Sequence, residues 1–402
     1  MQAGLNLLWL SSSSIKFFKP KPGLMFDVLL SIAISFTITF LAIPVIITVA
    51  ERKKLFDIPD ERKIHQTPIP SLGGLGIYAG FILASLISIQ FEAVAEFQYF
   101  FAAAFVIFFL GLKDDILVIS PIKKFIGQVL AAFLIIYKGG VQIRSMHGFL
   151  GIEGPLPEMF SLLLTYFTVI VIINSFNLID GIDGLAGSLG FMASSLLGFY
   201  FLQVNLPAYS ILAFSLAGSL AAFLIFNFQP ARIFMGDTGS LLIGLIHAIL
   251  IIKFINVAQM PAIDFPINSA PAIGFAILMI PLLDTLRVFG IRIIHQRSPF
   301  SPDRNHIHHL LLDKGLSHKS ITLLLVGINL LFVLGAYFFR QFGSTWIIFS
   351  IIGIFFTVIG ALYVTRSRPR LFVAKSIDAD NTEIKASNIV PLTKDTVLEQ
   401  KN

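Results

Sequence analysis

The sequence predicts an all-α fold, a polytopic integral membrane bundle of helices, and three observations predict it. Of the 402 residues, 56% are hydrophobic and only 13% charged, about half the charge of a soluble domain. Apolar runs of bilayer length, roughly 20 residues, recur along the chain. Lysine and arginine gather in alternate loops, the signature of a fixed membrane orientation. A soluble chain this long would need a charged surface that this composition cannot supply. The absence of cysteine excludes a disulfide framework and a thiolate metal site.

The apolar runs fall near 25–50, 71–91, 96–113, 122–137, 159–177, 185–203, 208–228, 239–257, 270–290, 320–340 and 345–365. They make about 11 transmembrane helices. The fourth is short from Phe125 to Tyr137 and can be tilted or partly interfacial. Gly139-Gly140 and Pro155 with Pro157 mark loops. Loops after odd-numbered runs hold Arg52, Lys53, Lys54, Arg62 and Lys63, then Lys113, Lys123 and Lys124. Later ones hold Arg292, Arg297, Arg304, Lys314 and Lys319, then Arg366, Arg368 and Arg370. Even-numbered loops hold Lys138 and Arg144 beside Glu92 and Glu96. The N-terminus is therefore expected outside and the C-terminus in the cytoplasm. Lys16, Lys19 and Lys21 disagree, so residues 1–24 read as an N-terminal extension or mis-assigned start. Residues 25–370 form the membrane domain, and the polar stretch 371–402 is expected to be a disordered cytoplasmic tail.

The polar clusters all lie at odd-numbered loops or span ends, as one cytoplasmic site would require. Charge beside a span is costly and marks function. Asp114-Asp115 is an adjacent carboxylate pair that needs a cation, basic neighbours or a raised pKa; a solvated helix cap is the plainer reading. Asn174, Asn177, Asp180 and Asp183 put two amides and two carboxylates around a glycine-broken turn, an oxygen-rich cradle for Mg²⁺ or for ribose and base. Asp237, in Phe234-Met-Gly-Asp-Thr-Gly-Ser240, opens the eighth run. It is either an N-cap or a metal ligand, and that helix start suits a pyrophosphate. His306, His308 and His309 lack a zinc-like partner set. With Arg304 they suit sugar and phosphate oxygens, or form a surface run of no consequence. Arg62, Lys63 and His65 either neutralise phosphates or only satisfy the charge bias. Asp284, Arg287 and Arg292 form a further polar group.

In this order and on one side, these motifs resemble the polyprenyl-phosphate N-acetylhexosamine-1-phosphate transferases, from about Met25 to Arg370. Asp57, Pro59, Arg62, Lys63 and His65 match one motif; Asp114-Asp115, Asn174 to Ala186, Asn227 to Ala231 and Phe234 to Ser240 match the others. The resemblance implies an enzyme of the cell inner membrane, Mg²⁺-dependent with Mn²⁺ able to substitute, and active on the cytoplasmic side. It implies Asp237 as metal ligand with Asn177 assisting. Asp180 and Asp183, with Asn227 and Phe234, would contact the nucleotide, and Lys124 and Gln128 the lipid phosphate. Asp114 or Asp115 would deprotonate or orient the acceptor. The implied partners are a UDP-N-acetylhexosamine donor, undecaprenyl phosphate and the lipid bilayer, with a homodimer as a conceivable assembly and no nucleic acid.

Two departures stand out. Val118 replaces the family's third aspartate in D-D-x-x-D. The late loop Pro302-Asp-Arg-Asn-His-Ile-His-His309 lacks the pattern of the pentapeptide translocases, which favours UDP-GlcNAc as donor; another UDP-amino sugar is the alternative. The expected reaction is attack of the lipid phosphate on the sugar-proximal phosphorus with loss of UMP, direct rather than through an aspartyl intermediate. A transporter is the rival class, but it would carry midplane charges and often two related halves.

Overall fold

Backbone groups in a bilayer must pair within their own segment, and every apolar run of this chain is helical. The computed structural model describes residues 22–55, 69–91, 94–260, 265–296 and 306–365. The helices are α1 (Pro22–Lys53), α2 (Gly73–Ser88), α3 (Phe97–Ile116), α4 (Pro121–Phe133, continued by a π turn over Leu134–Lys138), α5 (Glu158–Ile179), α6 (Leu185–Gln203) and α7 (Pro207–Asn227). There follow α8 (Gly236–Val257), α9 (Ala270–Ile277), α10 (Met279–Ile294), α11 (Ile307–Leu312), α12 (His318–Phe338) and α13 (Ser344–Val364). No strand occurs among the described residues. Proline opens α4, α7 and α9, where its missing N–H has no intrahelical partner to lose.

Seven helices are long and apolar enough to cross a membrane: α1, α5, α6, α7, α8, α12 and α13. The pair α9 and α10, bent by 79°, makes an eighth. This is fewer than the 11 expected from the apolar runs. The difference lies in α2, which has 16 residues, in α3, which ends in Lys113-Asp114-Asp115, and in α4, which opens with Lys123-Lys124. The chain is a multi-pass membrane protein. Residues 1–21, the motif from Asp57 to His65, Arg304 and the tail beyond 365 lie outside the described residues.

The bundle is built around α7 and α8, each 83% buried over its apolar window, whereas α1 is 17% buried. The outer helices turn apolar side chains outward, among them Leu41, Leu331 and Trp346, as lipid-facing helices do. α8 packs against α2, α3, α5 and α6. Lipid supplies little hydrophobic drive between helices, so small residues at the crossings govern approach. At Gly74 an added Cβ would lie 2.2 Å from the Gly239 nitrogen, so only glycine allows α2 so close to α8.

The bend between α9 and α10 frees backbone groups inside the bundle. Asn329 of α12 pairs them. Its Oδ1 accepts from Ile280 N at 3.1 Å, and its Nδ2 donates to Ala276 O and Ile277 O at 3.2 and 3.0 Å. One amide side chain thus closes the broken span with the groups that the missing helical turn would have used.

Candidate active site

The last turns of α3 and α5 and the first turns of α4, α6 and α8 meet at one end of the bundle, so the clusters on these described helices converge. Lys124 of α4 lies between two carboxylates. Its Nζ pairs with Asp114 Oδ2 at 3.3 Å and makes a closer ion pair with Asp237 Oδ2. The same ammonium donates to Asn177 Oδ1 at 3.2 Å, while Asn177 Nδ2 donates to Asp237 Oδ1 at 2.6 Å and to Ser240 Oγ at 3.0 Å. Asp114 Oδ1 accepts from Ile119 N at 2.8 Å, which fixes that carboxylate at the end of α3. Four side chains from four helices, Asp114, Lys124, Asn177 and Asp237, therefore meet in one centre around the Lys124 cation.

Asp115 points the other way, into the start of α8. Its Oδ1 accepts from Asp237 N at 2.7 Å; its Oδ2 accepts from Thr238 N at 3.0 Å and Thr238 Oγ1 at 2.5 Å. Asp237 lies inside the first turn of α8 and is not its N-cap; Asp115 of α3 caps that turn from outside. Two of the first N–H groups of α8, those of Asp237 and Thr238, are engaged by it. Asp115 is thus tied to the frame by three bonds, and Asp114 faces Lys124. Gly236 makes this possible. Its φ is +73°, and a Cβ there would lie 2.7 Å from Asp115 Oδ1.

The turn between α5 and α6 divides its carboxylates in the same way. Asp183 is buried, pairs with His318 Nδ1 at 3.2 Å and accepts from Ala231 N at 3.2 Å. Asn227 is also buried: Oδ1 accepts from Gly184 N and Nδ2 donates to Ile233 O, both at 2.9 Å. Both fasten the loop that leads into α8 and Asp237. Phe234 keeps a half-buried ring, and its backbone ties that loop to the chain ahead of α2 through Pro70 O and Gly73 N, at 2.7 and 2.9 Å. Asp180 is different. Burial, then the charges of Asp237, Asp115 and Asp183, push its carboxyl up to about 8. Its side chain is not closed to solvent, and water screens part of that push.

Gln128 and Asn174 hold each other by a pair of amide bonds at 2.8 and 3.3 Å. A cavity of about 210 Å³ lies between α4, α5 and α10, lined by Asp114, Lys124, Gln128 and Asn177 with the apolar Phe125 and Phe289. Both residues assigned to the lipid phosphate thus face one small cleft. Val118, at the position of the missing aspartate, also lines it.

The histidine motif folds onto α10. Asp284 accepts from His306 Nδ1 at 2.8 Å, from Ile307 N at 2.9 Å and from Arg287 Nη2 at 2.8 Å. His306 thus anchors the start of α11 to α10 through its Nδ1. His308 is buried and packs on Gly181, where a Cβ would lie 2.5 Å from its Nε2. Burial, then His309, hold His308 down to about 3, so it is a neutral imidazole. His309 stays half-buried beside it, with ring centroids 4.4 Å apart. His318, Thr238 and the anchoring role of Asp284 carried no sequence signal, since none stands in a motif that specifies its distant partner.

The profile of glycosyl transferase family 4 matches residues 97–255, the stretch from α3 to α8 that carries the cation centre. The decaprenyl-phosphate N-acetylglucosaminephosphotransferase of Mycobacterium leprae is 33% identical over 309 residues, 72% of this chain and 77% of the relative. The chain belongs to the polyprenyl-phosphate N-acetylglucosamine-1-phosphate transferase family. The undecaprenyl-phosphate alpha-N-acetylglucosaminyl 1-phosphate transferase of Yersinia pestis is 32% identical over 319 residues, covering 78% of this chain and 85% of its own. The decaprenyl-phosphate enzyme of Mycobacterium tuberculosis is 33% identical over 313 residues, covering 72% and 76%. Membership of the family makes the chain an enzyme, a sugar-phosphate transferase.

Proposed function

We propose that this transferase moves N-acetylglucosamine 1-phosphate from UDP-GlcNAc to undecaprenyl phosphate and releases UMP. It would work at the cytoplasmic face of the inner membrane and begin a cell-envelope polysaccharide, with the N-terminus outside and the 11 apolar runs crossing or entering the bilayer. The observation that carries this reading is the meeting of Asp114, Lys124, Asn177 and Asp237 at one end of the bundle.

A divalent cation fits these residues. Asp114 and Asp237 are held close enough to interact directly, and only Lys124 stands between them. No group of three His, Asp or Glu side chains forms a ready cage among the described residues. Mg²⁺ commonly takes one or two carboxylates and completes its shell with water and substrate phosphate, so this centre suits Mg²⁺ better than a metal needing a full protein cage. Asp237, with Asn177, would hold it. When bound, Mg²⁺ would neutralise the diphosphate.

The residues then divide the work. Lys124 faces both the carboxylate pair and the small cleft, so it can bring the lipid phosphate up to the donor. Asp114 orients that phosphate or keeps it deprotonated. A lipid phosphate oxygen bonds to the sugar-proximal phosphorus, and the bond from that phosphorus to the UMP oxygen breaks. Two anions meet in this step, so positioning and charge neutralisation carry most of the catalysis. Asp180, Phe234, Arg304 and His309 are the foremost candidates for the nucleotide-sugar side.

A donor panel of UDP-GlcNAc, UDP-GalNAc and a 6-deoxy amino sugar, tested with undecaprenyl phosphate and purified protein, decides the reading. UMP release should need Mg²⁺ and be fastest with UDP-GlcNAc, and Asp237→Ala should abolish it in protein that still inserts. Full activity of Asp237→Ala would remove the metal assignment. Absence of UMP release with every donor would remove the reaction.

A further inference from the structure

A second polar cavity, of about 680 Å³, lies at the other end of the bundle. Glu96 opens α3, Lys138 closes the π turn after α4, Tyr209 opens α7 and Lys253 sits near the end of α8; all line it, with Arg144 from the following loop. From Asp237 to Lys253 is 16 residues along α8, about 24 Å at the helical rise. The cavity is therefore separate from the cation centre.

Its charge is unbalanced. Lys253 lies in a span whose apolar window is 83% buried, where an ionisable group is costly to keep. Its ammonium stands 4.4 Å from the centroid of the Tyr209 ring. Glu96 is the nearest acid, but it accepts from Tyr209 Oη at 3.2 Å and makes no salt bridge to Lys253. Lys138 and Arg144 are exposed and have no salt bridge among the described residues. Among the described residues, three cations thus line this cavity with one carboxylate. Asn256 and Gln259 add amides: Asn256 Nδ2 donates to Gln142 O at 2.7 Å, and Gln259 Oε1 lies 3.1 Å from His147 Nδ1. Lys138 and Arg144 also stand against the charge bias that sets the orientation of the other loops, and a bundle needing only orientation would not place them there.

We propose that this cavity binds a phosphate group, presented from the membrane face opposite the cation centre. Lys138, Arg144 and Lys253 supply its charge, and the Asn256 and Gln259 amides line it. The group belongs either to an anionic lipid headgroup or to a free phosphate compound, and both offer the same acceptor oxygens to these donors.

The test uses the full chain in nanodiscs of phosphatidylcholine, with and without phosphatidylglycerol, and separately with inorganic phosphate or pyrophosphate. Binding is read as thermal stabilisation and as bound lipid counted by native mass spectrometry. Lys138→Gln and Arg144→Gln, both at exposed positions, should each weaken binding about fivefold, the effect of one basic side chain on an anionic membrane surface. Lys314→Gln, at the opposite end, should leave it unchanged. Stabilisation by phosphatidylglycerol alone assigns a lipid headgroup, and stabilisation by the soluble phosphates alone assigns a free ligand. The proposal is overturned if neither stabilises the protein, or if Lys138→Gln and Arg144→Gln bind as the unaltered chain does. Turnover of these variants on UDP-GlcNAc is a separate measurement, so failure of this proposal leaves the proposed reaction standing.

Discussion

Asp115→Asn separates two roles for a carboxylate that sequence alone cannot separate. The native group accepts from two backbone N–H groups and one hydroxyl, at 2.7, 3.0 and 2.5 Å. An amide keeps one acceptor oxygen and turns an NH₂ group towards donors. It also loses the charge at the start of α8, worth up to about 2 kcal/mol in a partly buried setting. A bond to a charged acceptor adds about 1.5–3 kcal/mol. Relief of repulsion from Asp114 returns part of this, so a net loss of roughly 2–4 kcal/mol is expected. The first turn of α8 would loosen and carry Asp237 with it; a displacement of about 1 Å can cost about a hundredfold in rate. Thermal unfolding in detergent and Mg²⁺ titration of UMP release are the assays. Tm and Mg²⁺ affinity should both fall. Thr238→Val, which removes one of the three bonds, should shift both in the same direction by less. Loss of turnover at unchanged Tm and unchanged Mg²⁺ affinity would refute the capping role and return Asp115 to the chemistry.

Lys124→Gln should raise KM for undecaprenyl phosphate about tenfold or more, the loss of a charge-assisted contact, and leave KM for the nucleotide sugar nearly unchanged; a shift confined to the donor would contradict the acceptor role. Asn329→Leu should destabilise the protein by about 1–3 kcal/mol by leaving the backbone groups at the α9–α10 bend unpaired, and unchanged resistance to detergent denaturation would count against that pairing. Asp180 titrates higher in the folded chain, near 8 against an ordinary 3.8. The folded state therefore binds its proton more tightly, and the stability this lends is lost as pH rises through 8. In chelator, the protein should unfold more easily at pH 9 than at pH 6, and Asp180→Asn should flatten that difference; an equally steep profile in the variant would assign the effect elsewhere.

The helices were legible because lipid admits few alternatives. Apolar length alone placed the long ones, though not α11 or the break between α9 and α10, and the alternation of basic loops put Asp114, Lys124, Asn177 and Asp237 at one end. What the sequence could not separate was which acidic or amide groups act and which hold the frame. Asp114 and Asp115 are neighbours in one motif, yet one faces Lys124 and the other the backbone of α8. Asp180 and Asp183 differ in the same way, because only Asp183 meets His318 and Ala231. Those partners lie far along the chain, and their identity depends on how the helices cross. The bend at Leu278 was hidden for a related reason: the residue that makes it tolerable, Asn329, belongs to another helix.

The Asp115 bond to α8 joins positions 122 residues apart. Asp114, Lys124 and Asn177 are all synthesised before Asp237. A chain ended between α7 and α8 would hold Asp114, Lys124 and Asn177 without the carboxylate they meet. Seating α8 beside α3 is thus the late step that assembles this centre from segments made far apart in time.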